Sequence, residues 1–209
     1  MNIYSQKIET FLQEAASDSP VPGGGSVAAL AAGLGAAMGA MVANLTKGAK
    51  FAAVEEDMRG TVLQMNQLIA QSGKLLEEDM QIFTAFMDAI KSPKATEEEK
   101  AIRKERLQQA AIQATETPLQ LLRLCNDGLE SIAKIVVDAN KNVISDLGVS
   151  AFLFEAAAQS AVLTMEINLP MIGDQKQMLA YQTGAQELIE KVSALKEKVV
   201  QTVRERIGS

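Results

Sequence analysis

Residues 22–45 read PGGGSVAALAAGLGAAMGAMVANL. From Val27 to Leu45 there is no charged side chain, and Ala and Gly dominate. Ala is the best helix former, so the composition predicts a helix. Gly35-x-x-x-Gly39 leaves one helix face without side chains, which lets a second helix backbone approach closely. A helix that is apolar all round belongs in a core. The stretch is also long enough to cross a membrane. Ala and Gly gain little from lipid, however, and the flanking Asp18 and Lys47 give no orientation signal. The reading is a buried helix and no membrane.

The segments on either side carry helical periodicity. Residues 2–16 place Ile3, Ile8, Phe11, Leu12 and Ala15 near helical spacing, and Pro20 and Pro22 close that helix. A long helix is expected over 55–91, with Val62, Met65, Ile69, Leu76, Phe83, Phe86 and Ile90 in 3–4 spacing. Two members of that register are polar, Ser72 and Asp79. Ser92-Pro93 ends it, and Thr96-x-x-Glu99 is a capping box for the next helix. Another helix is expected over 118–137, with Pro118 in its first turn. A polar loop at 140–145 leads into a second Ala-rich helix to about Asn168. The last helix runs over 174–206, with Leu179, Leu188, Val192, Leu195 and Val199 on one face. No segment alternates as a strand does, and no repeat is evident. The expected fold is all-α: one domain over 1–209, a bundle of long helices with two buried small-residue helices.

Composition narrows the function. The 209 residues are 47% hydrophobic and 22% charged, enough for a sizeable core. A net charge of −6 speaks against general nucleic-acid binding, which needs a basic face. With no His and a single Cys, Cys125, the chain has no Ser-His or Cys-His nucleophile, no His or thiolate metal site and no internal disulfide. A cytoplasmic setting is the simplest expectation. No secretory leader is expected either, since Lys7 and Glu9 interrupt a start without a long apolar core. Any proton transfer must use Asp, Glu, Lys, Tyr or water.

Four groups of residues could carry chemistry. Gly23, Gly24, Gly25 and Ser26 precede the small-residue helix, where free N–H groups attract anions; a flexible turn with Ser26 as N-cap explains them equally well. Asp79 shares its register with apolar side chains, so it should point inward, where a carboxylate must pair, bind a ligand or take up a proton. A rotated helix would instead put it with Glu77 and Glu78 in water. Asn140, Asn142, Ser145 and Asp146 offer donors and acceptors at a helix entrance, and ordinary capping accounts for such residues too. Lys47, Lys50, Lys91 and Lys94 could hold the carboxylates of an acidic ligand, or stay solvated.

Taken together in order, Pro22-Gly23-Gly24-Gly25-Ser26-Val27-Ala28-Ala29, Asn44-Leu45-Thr46, Glu78-Asp79-x-x-x-Phe83, Lys91-x-Pro93-Lys94, Asn140-x-Asn142-x-x-Ser145-Asp146-Leu147-Gly148-Val149 and Asn168-Leu169 resemble the formiminotetrahydrofolate cyclodeaminase/methenyltetrahydrofolate cyclohydrolase family. The resemblance spans nearly the whole chain. It implies an all-helical enzyme in its stand-alone bacterial form, a homodimer or assembly of dimers, and a tetrahydrofolate substrate carrying a one-carbon unit. Asp79 would be the catalytic acid and base. The Gly23–Ser26 and Asn140–Asp146 loops would line the folate site, and Lys50 or Lys94 would meet the glutamate tail. No metal or organic cofactor is implied. Cyclohydrolase is the preferred activity and cyclodeaminase the alternative. A non-catalytic folate-binding or scaffold protein is the reading from another class.

Overall fold

The computed structural model describes residues 3–208. Asn2, where the first helix was expected to begin, lies outside them, as does the Ile3 side chain. Among the described residues six α-helices follow in order: α1 Ile8–Ala15, α2 Gly24–Leu45, α3 Glu55–Lys91, α4 Glu97–Ile135, α5 Ile144–Asn168 and α6 Gln175–Gly208. No strand occurs among the described residues. Short 3₁₀ turns cover Ile3–Ser5, Ala49–Val54, Lys141–Val143 and Leu169–Met171. The expected all-α bundle is what forms.

α2 lies against α3 and α5, and α4 and α6 complete the bundle around the main core, with a small second cluster of Ala111, Leu169 and Ile172. Small residues set the spacing. A Cβ at Gly35 would press on Ser150 O and the Leu153 and Phe154 side chains, so α2 and α5 meet there nearly backbone to backbone. The Ser150 hydroxyl seals this contact by donating to Gly35 O at 2.7 Å. The Phe154 ring occupies the place of the missing side chain of Gly128 on α4.

Four details depart from the sequence reading. The expected first helix is a 3₁₀ turn and a separate α1, because Tyr4 leaves the helical path and seats its ring against Gly73 and its hydroxyl against Ser72. Only Phe11 of α1 is buried; Ile8 and Leu12 face solvent. The capping box at Thr96 and Glu99 forms, but the helix it starts continues through Pro118, so Pro118 is interior rather than first-turn. On α6, Val192 and Val199 are buried while Leu179 is exposed.

The fourth departure concerns the two small-residue helices, α2 and α5, which are buried on one side only. Val27, Leu34 and Leu45 of α2, and Val149, Phe152, Leu163 and Ile167 of α5, are exposed. At 100° per residue each set falls on one face of its helix. Both have the length and hydropathy of a membrane span, with 61% of the α2 stretch and 44% of the stretch around α5 buried inside the bundle.

Candidate active site

α2 and α3 run antiparallel in a two-turn register. Ser26 faces Asp79, Gly33 faces Ser72, and Gly39 faces Met65. Asp79 therefore points into the bundle, away from the solvated alternative. It is half-buried, and its Oδ2 accepts a hydrogen bond of 2.6 Å from the fully buried Ser26 hydroxyl. Ser26 is not an N-cap. The cap is Gly23, which has no side chain to offer, and Gly24, Gly25 and Ser26 form the first turn. Their N–H groups have no helical acceptor, and the helix dipole favours a negative charge beside them.

The fit is tight at Gly25. A Cβ there would overlap the Asp79 carboxylate, lying 2.7 Å from its Cγ. Gly24 meets nothing within 4 Å. The glycine run thus contains one position where any side chain collides with the carboxylate.

Asp79 opens into a cleft of about 500 Å³ between the start of α2, the middle of α3 and α4, and the end of α5. That is within the range of small-ligand pockets. Ile82, Phe83, Phe86, Leu163, Ile167 and Met171 make its walls mainly apolar. Gly23, Gly24, Gly25 and Asp79 form its polar end, and Thr117, Thr164 and Asn168 add polar groups on the far wall.

The second motif lies elsewhere in the chain. The Asn140 N–H donates to Thr46 Oγ1 at 2.9 Å and its Nδ2 to Leu45 O at 3.0 Å, tying that loop to the C-terminal end of α2. Asn140 Oδ1 accepts from the Asn142 N–H at 3.2 Å, which is the capping role. Asn142 and Ser145 are exposed, and Asp146 is half-buried in the first turn of α5. The 22 residues of α2 span about 33 Å, so within one chain this motif and the Asp79 cleft stand at opposite ends.

Neither lysine lines the cleft. Lys50 is exposed near the Asn140 end, its Nζ 4.6 Å above the Phe51 ring. Lys94 is exposed in the turn joining α3 and α4, beyond about 18 Å of helix between Asp79 and Lys91.

One contributor, Asn168, enters the sequence reading only as part of the resemblance, with no role attached. Pro118 has no N–H for Ala114 O, and the Asn168 amide donates to that oxygen at 3.0 Å. A proline inside a helical pattern signals an orphan carbonyl, but only packing identifies the side chain that satisfies it.

The buried thiol of Cys125 is pushed well above the ordinary thiol range by desolvation and takes no part in the cleft.

Fold and site together define a helical-bundle protein whose cleft holds one carboxylate on a glycine-rich helix start. A family model described as formiminotransferase-cyclodeaminase matches residues 7–187, and the chain belongs to that family. It is 35% identical over 206 residues to a methenyltetrahydrofolate cyclohydrolase of Methylorubrum extorquens, covering 98% of this chain and 99% of the relative. It is 34% identical over 175 residues to the formimidoyltransferase-cyclodeaminase of Gallus gallus, covering 83% of this chain but only 32% of that longer protein. A crystal structure of formiminotetrahydrofolate cyclodeaminase from Thermotoga maritima matches with a TM-score of 0.81 at 28% identity, over 99% of this chain and 98% of that one.

Proposed function

We propose that the chain is a cytoplasmic enzyme of folate one-carbon metabolism, a 5,10-methenyltetrahydrofolate cyclohydrolase with Asp79 as general acid and base. The observation that carries the mechanism is a lone carboxylate, held by Ser26 against Gly25, at the polar end of an apolar cleft. The full-length likeness to a methenyltetrahydrofolate cyclohydrolase supports the substrate.

The methenyl bridge is cationic, and an ionised carboxylate attracts it. Water adds to the bridging carbon while Asp79 takes its proton, giving a neutral adduct. The protonated carboxyl then returns that proton to N5 as the carbon–N5 bond breaks. The hydroxyl proton leaves to solvent, and 10-formyltetrahydrofolate results. First-turn N–H groups of α2 are donors for the adduct oxygen. The chemistry requires no metal or organic cofactor, because one proton carrier serves both steps.

Cyclodeaminase activity is the second reading, favoured by the names of the structural match and the family. There N10 attacks the formimino carbon on N5 and ammonia leaves, with the same carboxylate serving both proton transfers. The deciding experiment offers 5,10-methenyltetrahydrofolate and 5-formiminotetrahydrofolate in parallel and follows the methenyl absorbance. Its loss with the first substrate, above the uncatalysed rate, supports the cyclohydrolase. Its appearance only with the second transfers the assignment to the cyclodeaminase, and no change with either refutes both.

The working unit in this proposal is a homodimer or an assembly of dimers. The exposed apolar faces of α2 and α5 adjoin, and Leu34 sits at the midpoint of α2. An antiparallel α2–α2 crossing about a two-fold axis near Leu34 covers both faces. It also brings the Gly23 end of one copy beside the Asn140–Asp146 end of the other, reuniting the two motifs in one site. Lys50 would then approach from the second copy and Lys94 from the α3–α4 turn, both toward the glutamate tail. Replacing the two lysines with Ala should raise KM for polyglutamylated substrate more than it lowers kcat.

A further inference from the structure

Pro118 removes the donor that Ala114 O would have had inside α4. Asn168 replaces it with one amide hydrogen, Nδ2 to Ala114 O at 3.0 Å, and uses the other on Thr164 O at 2.8 Å. Both hydrogens of this amide are therefore committed to backbone carbonyls. Turning the amide over would set Oδ1 against two carbonyl oxygens, so the network fixes its orientation. Asn168 is half-buried and lines the cleft that contains Asp79. No described residue donates to its Oδ1, and that oxygen is not among the sealed, unpartnered ones. The result is an acceptor with a fixed direction on a mainly apolar wall, across from the carboxylate.

We propose that Asn168 Oδ1 accepts a hydrogen bond from an N–H of the substrate's pterin ring and so orients the ring relative to Asp79. This rests on the folate reading above. A reduced pterin carries N–H donors along its edge, in the 2-amino group and at ring nitrogens, while its faces are flat and apolar enough for walls such as Phe83, Phe86 and Ile167. An acceptor whose own donors are already satisfied discriminates by leaving a buried polar group unpaired when the ligand lacks the matching N–H.

Asn168→Ala alone deletes both the acceptor and the donor to Ala114 O, so it confuses binding with stability. Pro118→Ala returns a backbone N–H to that carbonyl. The informative comparison is Pro118→Ala against Pro118→Ala/Asn168→Ala, in the full chain. Thermal unfolding followed by circular dichroism reads the helix repair, and calorimetric titration with 5-formyltetrahydrofolate reads the cleft. The two variants should have nearly the same Tm, with Kd raised about two- to tenfold in the double variant, the effect of one neutral hydrogen bond. Equal Kd values would make Asn168 a helix patch only and overturn the inference. Wild-type protein that fails to bind 5-formyltetrahydrofolate would instead defeat the folate reading, and this inference with it.

Discussion

Gly25→Ala isolates the placement of the Asp79 carboxylate from its chemistry. The new Cβ would overlap Asp79 Oδ1 and lie 2.7 Å from Cγ, where ordinary contact begins at 3.4 Å, so the carboxylate must retreat by more than 0.7 Å (3.4 minus 2.7). That retreat strains or breaks the 2.6 Å bond from Ser26. Misplacing a reacting group by about 1 Å costs on the order of 10²-fold in rate, so kcat/KM should fall by about that factor. Stability should change less. Losing a hydrogen bond to a charged group costs about 1.5–3 kcal/mol, and replacing a helical Gly with Ala returns about 0.5–1 kcal/mol. The net loss is about 0.5–2.5 kcal/mol, which leaves the protein folded. Gly60→Ala, where a Cβ meets nothing within 4 Å, measures the helix gain by itself. The assay is the decay of methenyl absorbance alongside urea unfolding of both variants. Wild-type turnover in Gly25→Ala, with the Ala present and the fold intact, would refute the assignment of Asp79 to the chemistry.

Three further outcomes are expected. Asp79→Asn keeps the shape but cannot carry a proton, so kcat should drop by roughly 10²–10⁴, with Asp146→Asn hurting less; normal turnover in the first and a dead second variant would move the catalytic carboxylate to α5. Leu34→Cys should form a disulfide-linked dimer on mild oxidation, because Cys125 is buried and a residue near a two-fold axis meets its own copy; a protein that stays monomeric on non-reducing gels and in sedimentation would remove the proposed pairing. Tyr4 is held above its ordinary 10.0 by burial, partly offset by its bond to Ser72, while Tyr181 is raised by burial and Glu116. A raised folded-state pKa gives stability that is present below pH 10 and fades as pH climbs through the folded value. In a Tyr181→Phe background, phenolate absorbance should rise only above pH 10 and stability should decline over the same window. Tyr4→Phe should remove that decline, and titration of Tyr4 below 10 would contradict the burial.

Much of the site's near half was legible because it depends on register. Ser72 and Asp79 interrupt an apolar 3–4 pattern, and a helix must carry every member of such a row to the same side. Their partners Gly33 and Ser26 repeat the same interval on α2, which the sequence displays but does not pair. Gly25 was visible as part of a glycine run, yet Gly24 and Gly25 look alike in sequence. Only the approach of α3 makes one of them indispensable. The start of the expected first helix differs because amphipathic spacing cannot reveal that Tyr4 prefers a niche at Gly73 to another helical turn.

Local chemistry therefore determined that this chain is helical, where α3 and α6 run, and that the register of α3 favours an inward Asp79 over a solvated one. Those properties follow from side-chain periodicity and capping, which act over a few residues. Tertiary structure alone decided what meets across the bundle. It set the Asp79 cleft and the Asn140–Asp146 motif at opposite ends of α2, sent α4 through Pro118 on a hydrogen bond borrowed from Asn168, and left one face of α2 and α5 uncovered. Each of these depends on where a distant segment comes to rest, and a contact between residues 50 positions apart leaves no period in the sequence to read.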